Sequence, residues 1–215
     1  MCFFFICLGI WQAYRAVTKQ QILQQYVLHG RELLEAVPSK IDDFFQYRQI
    51  RLSGQFDNQH IFLLDNRFYQ HQAGFNVIQV LHSHNNQPIL VNRGFISHQG
   101  DHSRIPEISL IQGESFFRGR LYRPKKELSL SQIEDTPLTW PKIIQNIDFE
   151  SIAAKLGHPI APYVIMLDND VPESYPSEWQ PSIITPARHW GYAVQWWLLA
   201  VLTAIGTVIF YKRKS

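Results

Sequence analysis

The chain has 215 residues, with 20 Lys and Arg against 18 Asp and Glu, so its net charge is +2 with neutral histidines. That balance excludes an electrostatic nucleic-acid surface, and the length suits one domain plus membrane anchors. Both cysteines, Cys2 and Cys7, fall in an N-terminal apolar run, which leaves the rest of the chain without a disulfide framework, a zinc knuckle or a thiolate copper site.

Met1–Trp11 reads MCFFFICLGIW and is almost continuously apolar. With Gln12, Ala13 and Tyr14 it reaches about 14 residues, short of the roughly 17 that cross a bilayer. No basic segment precedes it and no small-residue cleavage site follows it, which argues against a signal peptide. The pattern predicts a first transmembrane helix over residues 1–16 whose opening turns are missing. Gly9, Trp11, Gln12 and Arg15 mark its interfacial end, where Arg15 snorkels to the head groups.

Residues 17–187 are polar enough to form a domain outside the membrane. Ile22, Leu23, Tyr26, Val27, Leu33 and Leu34 recur near a 3.6 period among glutamines. They predict an amphipathic helix over Val17–Val37, stopping before Pro38, with Gly30 as a possible break. Alternating apolar and polar residues predict strands over Phe44–Phe56 and His60–Phe68, and Gly54 in the first suggests a bulge or a close backbone approach. Gly74–His84 and Ile89–Ile96, joined by an Asn-Asn-Gln-Pro turn, predict a hairpin. Leu110–Tyr122 predicts a long strand kinked at Gly113 and Gly119, and Trp140–Gln145 a short one. Lys125–Pro137 is charged and expected to be exposed. Asp148 and Gly157 bracket a helix over Phe149–Leu156. Pro162–Asp168 predicts a last strand. Asn169–Pro186 holds four prolines and is expected to be an extended, largely structureless linker.

From Gly191 to Tyr211 no residue is charged. A helix of that length spans the hydrocarbon core of about 30 Å. Trp190, Tyr192, Trp196 and Trp197 mark one interface and Tyr211 the other. Residues 190–211 are thus the second span, and the basic tail 212–215 is cytoplasmic by the positive-inside rule. The expected architecture is a membrane-anchored α+β protein. A β-rich, antiparallel, barrel-like extracytoplasmic domain lies between two transmembrane helices.

No phosphate-binding loop, nucleophile elbow, HExxH or haem-attachment motif occurs, so the chain is not expected to be an enzyme. His82 and His84 share a strand face, and His98 and His102 flank a loop with Asp101. Either pair suits a metal or simply a polar hairpin end. Met1 and Met166 are the only methionines, which disfavours a copper carrier. Asn92, Arg93 and Gly94 follow a buried run, and Arg93 suits either a carboxylate clamp or a strand-end anchor. His189 differs in kind, because it sits among aromatic rings at a membrane interface, where neutral imidazole is a competent iron ligand.

Leu8–Arg15 (LGIWQAYR) resembles the end of the first span of the Surf1/Shy1 family of cytochrome oxidase assembly factors. Gly54-Gln-Phe56, Leu90–Phe95 (LVNRGF) and Trp140-Pro141 resemble its internal motifs, and His189–Trp196 (HWGYAVQW) resembles the start of its second span. Phe95 stands where tryptophan is common. The resemblance implies a bacterial inner-membrane protein with a periplasmic domain, which assists haem a insertion into the large catalytic subunit of cytochrome c oxidase. It implies haem a as cofactor and His189 as its iron ligand. The haem a synthesis machinery and the membrane lipid would be further partners. Tyr192, Gln195 and Trp196 would surround the ring, with Trp11 and Arg15 on the first span, Arg15 pairing with a propionate. Gly54, Asn92, Arg93 and Gly94 would be structural or partner contacts. The competing readings are a haem-free scaffold that stabilises an oxidase intermediate and, lacking any catalytic group, a haem-modifying enzyme.

Overall fold

The computed structural model describes the whole chain except residues 1, 32, 39–41, 84–86, 102–104, 125–139, 180, 182–184 and 215. It divides into two compact units, Leu28–Trp179 and a second that joins Met1–Val27 to Gln180–Ser215.

Helix α1 runs unbroken over Cys2–His29. It stops eight residues before the expected end at Val37, just ahead of Gly30, where the sequence suggested a break. A Cβ there would lie 2.2 Å from Nη1 of Arg120. Leu33 and Leu34 instead form strand β1, parallel to Gln49 and Ile50, which places Leu34 against the domain core. Asp42 then caps a short 3-10 turn, Asp43–Phe45, by accepting from the Phe44 N–H.

The two strands expected between Phe44 and Phe68 are one, β2, over Gln49–Tyr69. Its first half pairs antiparallel with β5 (Glu114–Tyr122), from Gln49 opposite Arg120 to Gln55 opposite Glu114. Its second half pairs with β3 (Gln72–His82), from Ile61 opposite Gln79 to Tyr69 opposite Gln72. The polar stretch that looks like a break is a register shift between Phe56 and Ile61. There Asp57 Oδ1 accepts from the N–H groups of Gln59 at 2.8 Å and His60 at 3.2 Å, so backbone donors that leave the ladder still find an acceptor.

Strands β3 and β4 (Ile89–Ser97) form the expected hairpin. β5 begins after Gly113, which has φ 76°, later than the expected start at Leu110. Gly119 marks a close approach rather than a kink, since a Cβ there would lie 2.4 Å from the Met166 carbonyl oxygen. β6 is Lys142–Ile144, parallel to Phe62–Leu64. Helix α2 covers Phe149–Leu156. Asp148 precedes it without a side-chain cap bond, and left-handed Gly157 closes it by donating to the Ala153 carbonyl. The expected exposed segment Lys125–Pro137 lies outside the described residues.

The last strand, β7 (Val164–Leu167), pairs parallel with β4 and antiparallel with β5. The sheet is therefore mixed, not antiparallel. A parallel pair needs a long crossover, and the chain between β4 and β7, with β5, β6 and α2, supplies it. The pairings run β2–β3–β4–β7–β5 and return from β5 to β2. Both faces of β4 and β7 are covered. Ile89, Val91, Ile165 and Leu167 join Ile50, Leu52, Phe117 and Leu121 in one apolar cluster. Leu90, Val164 and Met166 join Phe62, Leu64 and Ile152 of α2 in another. Two-sided burial is why these strands read as apolar runs without alternation. Each such fully buried side chain contributes roughly 1.5–3 kcal/mol.

The chain after β7 is not structureless. Through Trp179 it is tied back to the sheet. Tyr175 N–H donates to the Arg93 carbonyl, and Phe95 N–H donates to the Pro176 carbonyl at 2.9 Å. Asn169 Nδ2 donates to the Ser177 carbonyl at 2.7 Å. Prolines lack an N–H, but their carbonyls still accept, so a proline-rich strap can be stitched on from the other side.

In the second unit, helix α3 spans Pro186–Lys214. Proline suits a first helical turn, where its missing N–H has no partner to lose. Among the described residues α3 is the one helix long and apolar enough to cross a membrane, by length and composition. Thr203 and Thr207 each donate to the carbonyl four residues back, which hides both hydroxyls. α1 and α3 run antiparallel. Phe5 stacks on Trp196 with centroids 5.8 Å apart and planes at 18°, and Gln12 meets His189. Small residues allow the approach: Gly9, Ala16, Ala193 and Ala200 are buried, and a Cβ on Gly9 would lie 2.2 Å from Trp197 Nε1.

Candidate functional site

His189 lies three residues into α3 and is only 7% exposed. One turn on, Ala193 is fully buried, so this stripe is the face turned to α1. His189 Nδ1 is 2.8 Å from Gln12 Oε1. Nε2 has no solvent-accessible surface and no hydrogen-bond partner. Further along the same stripe, Trp196 rests flat on Phe5.

The other residues expected around His189 are placed differently. Tyr192, one position off the stripe, is 50% exposed, and Gln195 is exposed as well. On α1 the Arg15 guanidinium lies over the Trp11 ring at 6.0 Å, and both side chains are exposed. The structure thus joins His189 to Gln12, Trp196 to Phe5 and Arg15 to Trp11. Gln12 and Phe5 are the contributors that the sequence reading did not assign to the site. A glutamine at the end of an apolar run was the available signal, since a polar side chain there needs a partner.

A second polar centre lies within Leu28–Trp179, around Arg93, which is 2% exposed. Its Nε donates to the Glu173 carbonyl at 2.9 Å. Nη1 donates to Gln79 Oε1 at 3.0 Å and to the Ser109 carbonyl at 2.9 Å, and Nη2 to Ser109 Oγ at 3.3 Å. The guanidinium also sits 4.9 Å from the Tyr175 ring centroid. Burial lowers its pKa, and the nearby Tyr175 and Glu173 partly offset that. The geometry is that of an anchor between strand β4, the strap and the Ser109 loop. Asn92 Oδ1 accepts from the Gly94 N–H at 2.9 Å. Gly94 has φ 114°, and a Cβ there would lie 2.2 Å from the Tyr175 carbonyl oxygen. Gly54 plays a similar part on β2, where a Cβ would lie 2.4 Å from the His82 carbonyl oxygen.

At the β2 irregularity, Asp57 Oδ2 is 2.6 Å from His60 Nδ1 and 3.9 Å from His82 Nε2. Burial pushes the Asp57 pKa up, but hydrogen bonds from the His60 ring and from the N–H groups of Gln59 and His60, with the His60 charge, outweigh it and hold the carboxyl below its ordinary range. His84 and His102, the partners expected for His82 and His98, lie outside the described residues. Among the described residues no three His, Cys, Asp or Glu side chains are placed to hold a metal ion.

No curated protein sequence is significantly similar to the chain. The family model described as the SURF1 family matches residues 1–201, a span that takes in Gln12, the whole sheet with Arg93 and Gly94, and His189. The match covers nearly the full length, and the chain belongs to the SURF1 family.

Proposed function

We propose that this protein is a membrane-anchored factor in cytochrome oxidase assembly that holds haem a through His189 while the haem is on its way to the large catalytic subunit. The SURF1 family is associated with cytochrome oxidase assembly, and its members are assembly factors rather than known enzymes. One observation carries the haem reading: His189 Nε2 is buried yet makes no hydrogen bond. A buried imidazole nitrogen without a partner costs about 1–3 kcal/mol, which suits a site completed by a ligand. When bound, haem supplies an iron atom that accepts such a nitrogen. His189 offers Nε2, Phe5 and Trp196 stack about two turns further along α3, and Arg15 offers a cation on α1 three residues past Gln12. Because Nε2 has no accessible surface, uptake requires neighbouring side chains to shift.

The same reading places α1 and α3 as two spans of a bacterial inner membrane. Their antiparallel packing supports a two-pass hairpin. Lys212, Arg213 and Lys214 end α3 and suit the cytoplasmic side, which leaves Leu28–Trp179 in the periplasm as a small closed barrel. The haem a synthesis machinery is the expected donor.

The test is the Soret absorption of detergent-purified protein expressed with a haem a source. The wild type is expected to carry haem and His189→Ala to lose most of it. Full absorbance in His189→Ala would refute the ligand assignment. A wild type without any haem would instead favour a haem-free scaffold.

A further inference from the structure

We infer that Gln12 is the positioning residue of this site: it fixes His189 as the Nδ1–H tautomer and so reserves Nε2 for a metal centre. The inference about the tautomer stands on geometry alone. Its extension to haem rests on the function proposed above.

The 2.8 Å separation between His189 Nδ1 and Gln12 Oε1 lies within hydrogen-bonding range. An amide oxygen only accepts, so the hydrogen is on Nδ1. A neutral imidazole carries one hydrogen, so Nε2 then holds a bare lone pair. That nitrogen is sealed from solvent and faces no donor. One turn on along the stripe, Ala193 has no polar side chain. A hydrogen-bonding ligand would be served equally well by either tautomer, with Nε2 as donor or acceptor. A metal ion is served by only one of them.

The kind of acceptor also matters. A carboxylate in place of Gln12 would draw the Nδ1 proton and make the ring a stronger donor to the metal. A neutral amide orients the ring without adding that strength. Such a ligand holds haem in a defined pose while leaving the iron–nitrogen bond easier to break, which fits a protein that passes its cargo on. The arrangement also divides the work between helices, since the ligand is on α3 and its orienting group is on α1. Only a paired α1 and α3 present a prepared Nε2.

The experiment uses the full chain in detergent, free of haem, with 15N-labelled histidine at a pH where imidazole is neutral. Nitrogen shifts separate the two tautomers, and a His189→Gln variant assigns the signal among the nine histidines. His189 is expected to be Nδ1–H in the wild type and in Gln12→Glu, which keeps an acceptor. In Gln12→Leu it is expected to revert to the Nε2–H form that an unrestrained imidazole favours. Leucine is apolar and similar in size, so the helices stay paired, and circular dichroism checks this. A wild-type His189 already in the Nε2–H form overturns the inference. So does a Gln12→Leu protein with an unchanged tautomer. Titration with ferric haem forms the second arm. Loss of the orienting bond is expected to weaken binding by about 10–100-fold in Gln12→Leu, and Gln12→Glu is expected to bind more tightly than wild type. If the tautomers behave as stated but wild-type protein does not bind ferric haem, the haem assignment falls and the positioning role of Gln12 stands.

Discussion

Replacing Gly94 by alanine isolates what holds the strap that follows β7. The new methyl would lie 2.2 Å from the Tyr175 carbonyl oxygen and 3.0 Å from that of Pro176. Neither is the free end of a flexible side chain, so the strap backbone must move away. Moving it breaks two hydrogen bonds, Tyr175 N–H to the Arg93 carbonyl and Phe95 N–H to the Pro176 carbonyl, each contributing about 1 kcal/mol. The backbone at φ 114° adds about 1–3 kcal/mol of strain for any residue with a side chain. The sum is roughly 3–5 kcal/mol, a large share of the 5–15 kcal/mol typical of a domain. Gly113→Ala is the control, because Gly113 also has positive φ but meets nothing within 4 Å. It should cost only the strain, about 1–2 kcal/mol. Guanidinium unfolding of the full chain in detergent measures both, and hydrogen exchange over residues 171–179 reports the strap directly. Equal costs for the two variants, or unchanged exchange in the strap of Gly94→Ala, would refute the argument that the crossing strap demands glycine.

Two further outcomes follow from the polar groups of the sheet. Arg93→Met should destabilise the domain by roughly 3–5 kcal/mol in the same unfolding assay, because Gln79 Oε1 and the Ser109 and Glu173 carbonyls each lose a charged donor. A cost below 1 kcal/mol would show that water replaces the guanidinium. Asp57 has a folded-state pKa below its unfolded value, so its stabilising contribution is present above about pH 4 and is lost as pH falls through the folded pKa. The melting temperature of Asp57→Asn should therefore lie below wild type at pH 7, and the gap should narrow as both are taken toward pH 3. Parallel curves would sink the assignment.

Much of the fold was legible because its signals were local. The β3–β4 hairpin, α2 with its left-handed Gly157, and α3 with its uncharged length each follow from residues close in sequence. What was missed depended on partners far along the chain. Asp57–Gln59 reads as a break because its residues are polar, and only the pairing of β2 with two different strands makes it the middle of one element. The parallel pairing of β4 with β7 leaves no mark, since both strands are buried on two faces and lack a period. Asn169–Trp179 reads as a linker because prolines cannot donate, while its carbonyls find donors on β4. In the candidate site, aromatic and histidine chemistry pointed to His189. The expected set grouped it with Tyr192 and Trp196, whereas the side chain that meets its ring, Gln12, lies on a different helix.

The return of the pairing path to β2 has a kinetic side. Gln49 opposite Arg120 and Leu90 opposite Val164 are contacts between residues some seventy positions apart. Such loops are slow to close, and domains dominated by distant pairings fold over milliseconds to seconds. As the chain is made, β2, β3 and β4 form a meander with two open edges, and open edges invite pairing with other chains. β5 covers only one of them. The other waits for Val164–Leu167, four residues that pair with β4 on one side and β5 on the other. The domain therefore passes its most vulnerable interval late, and a single short strand ends it.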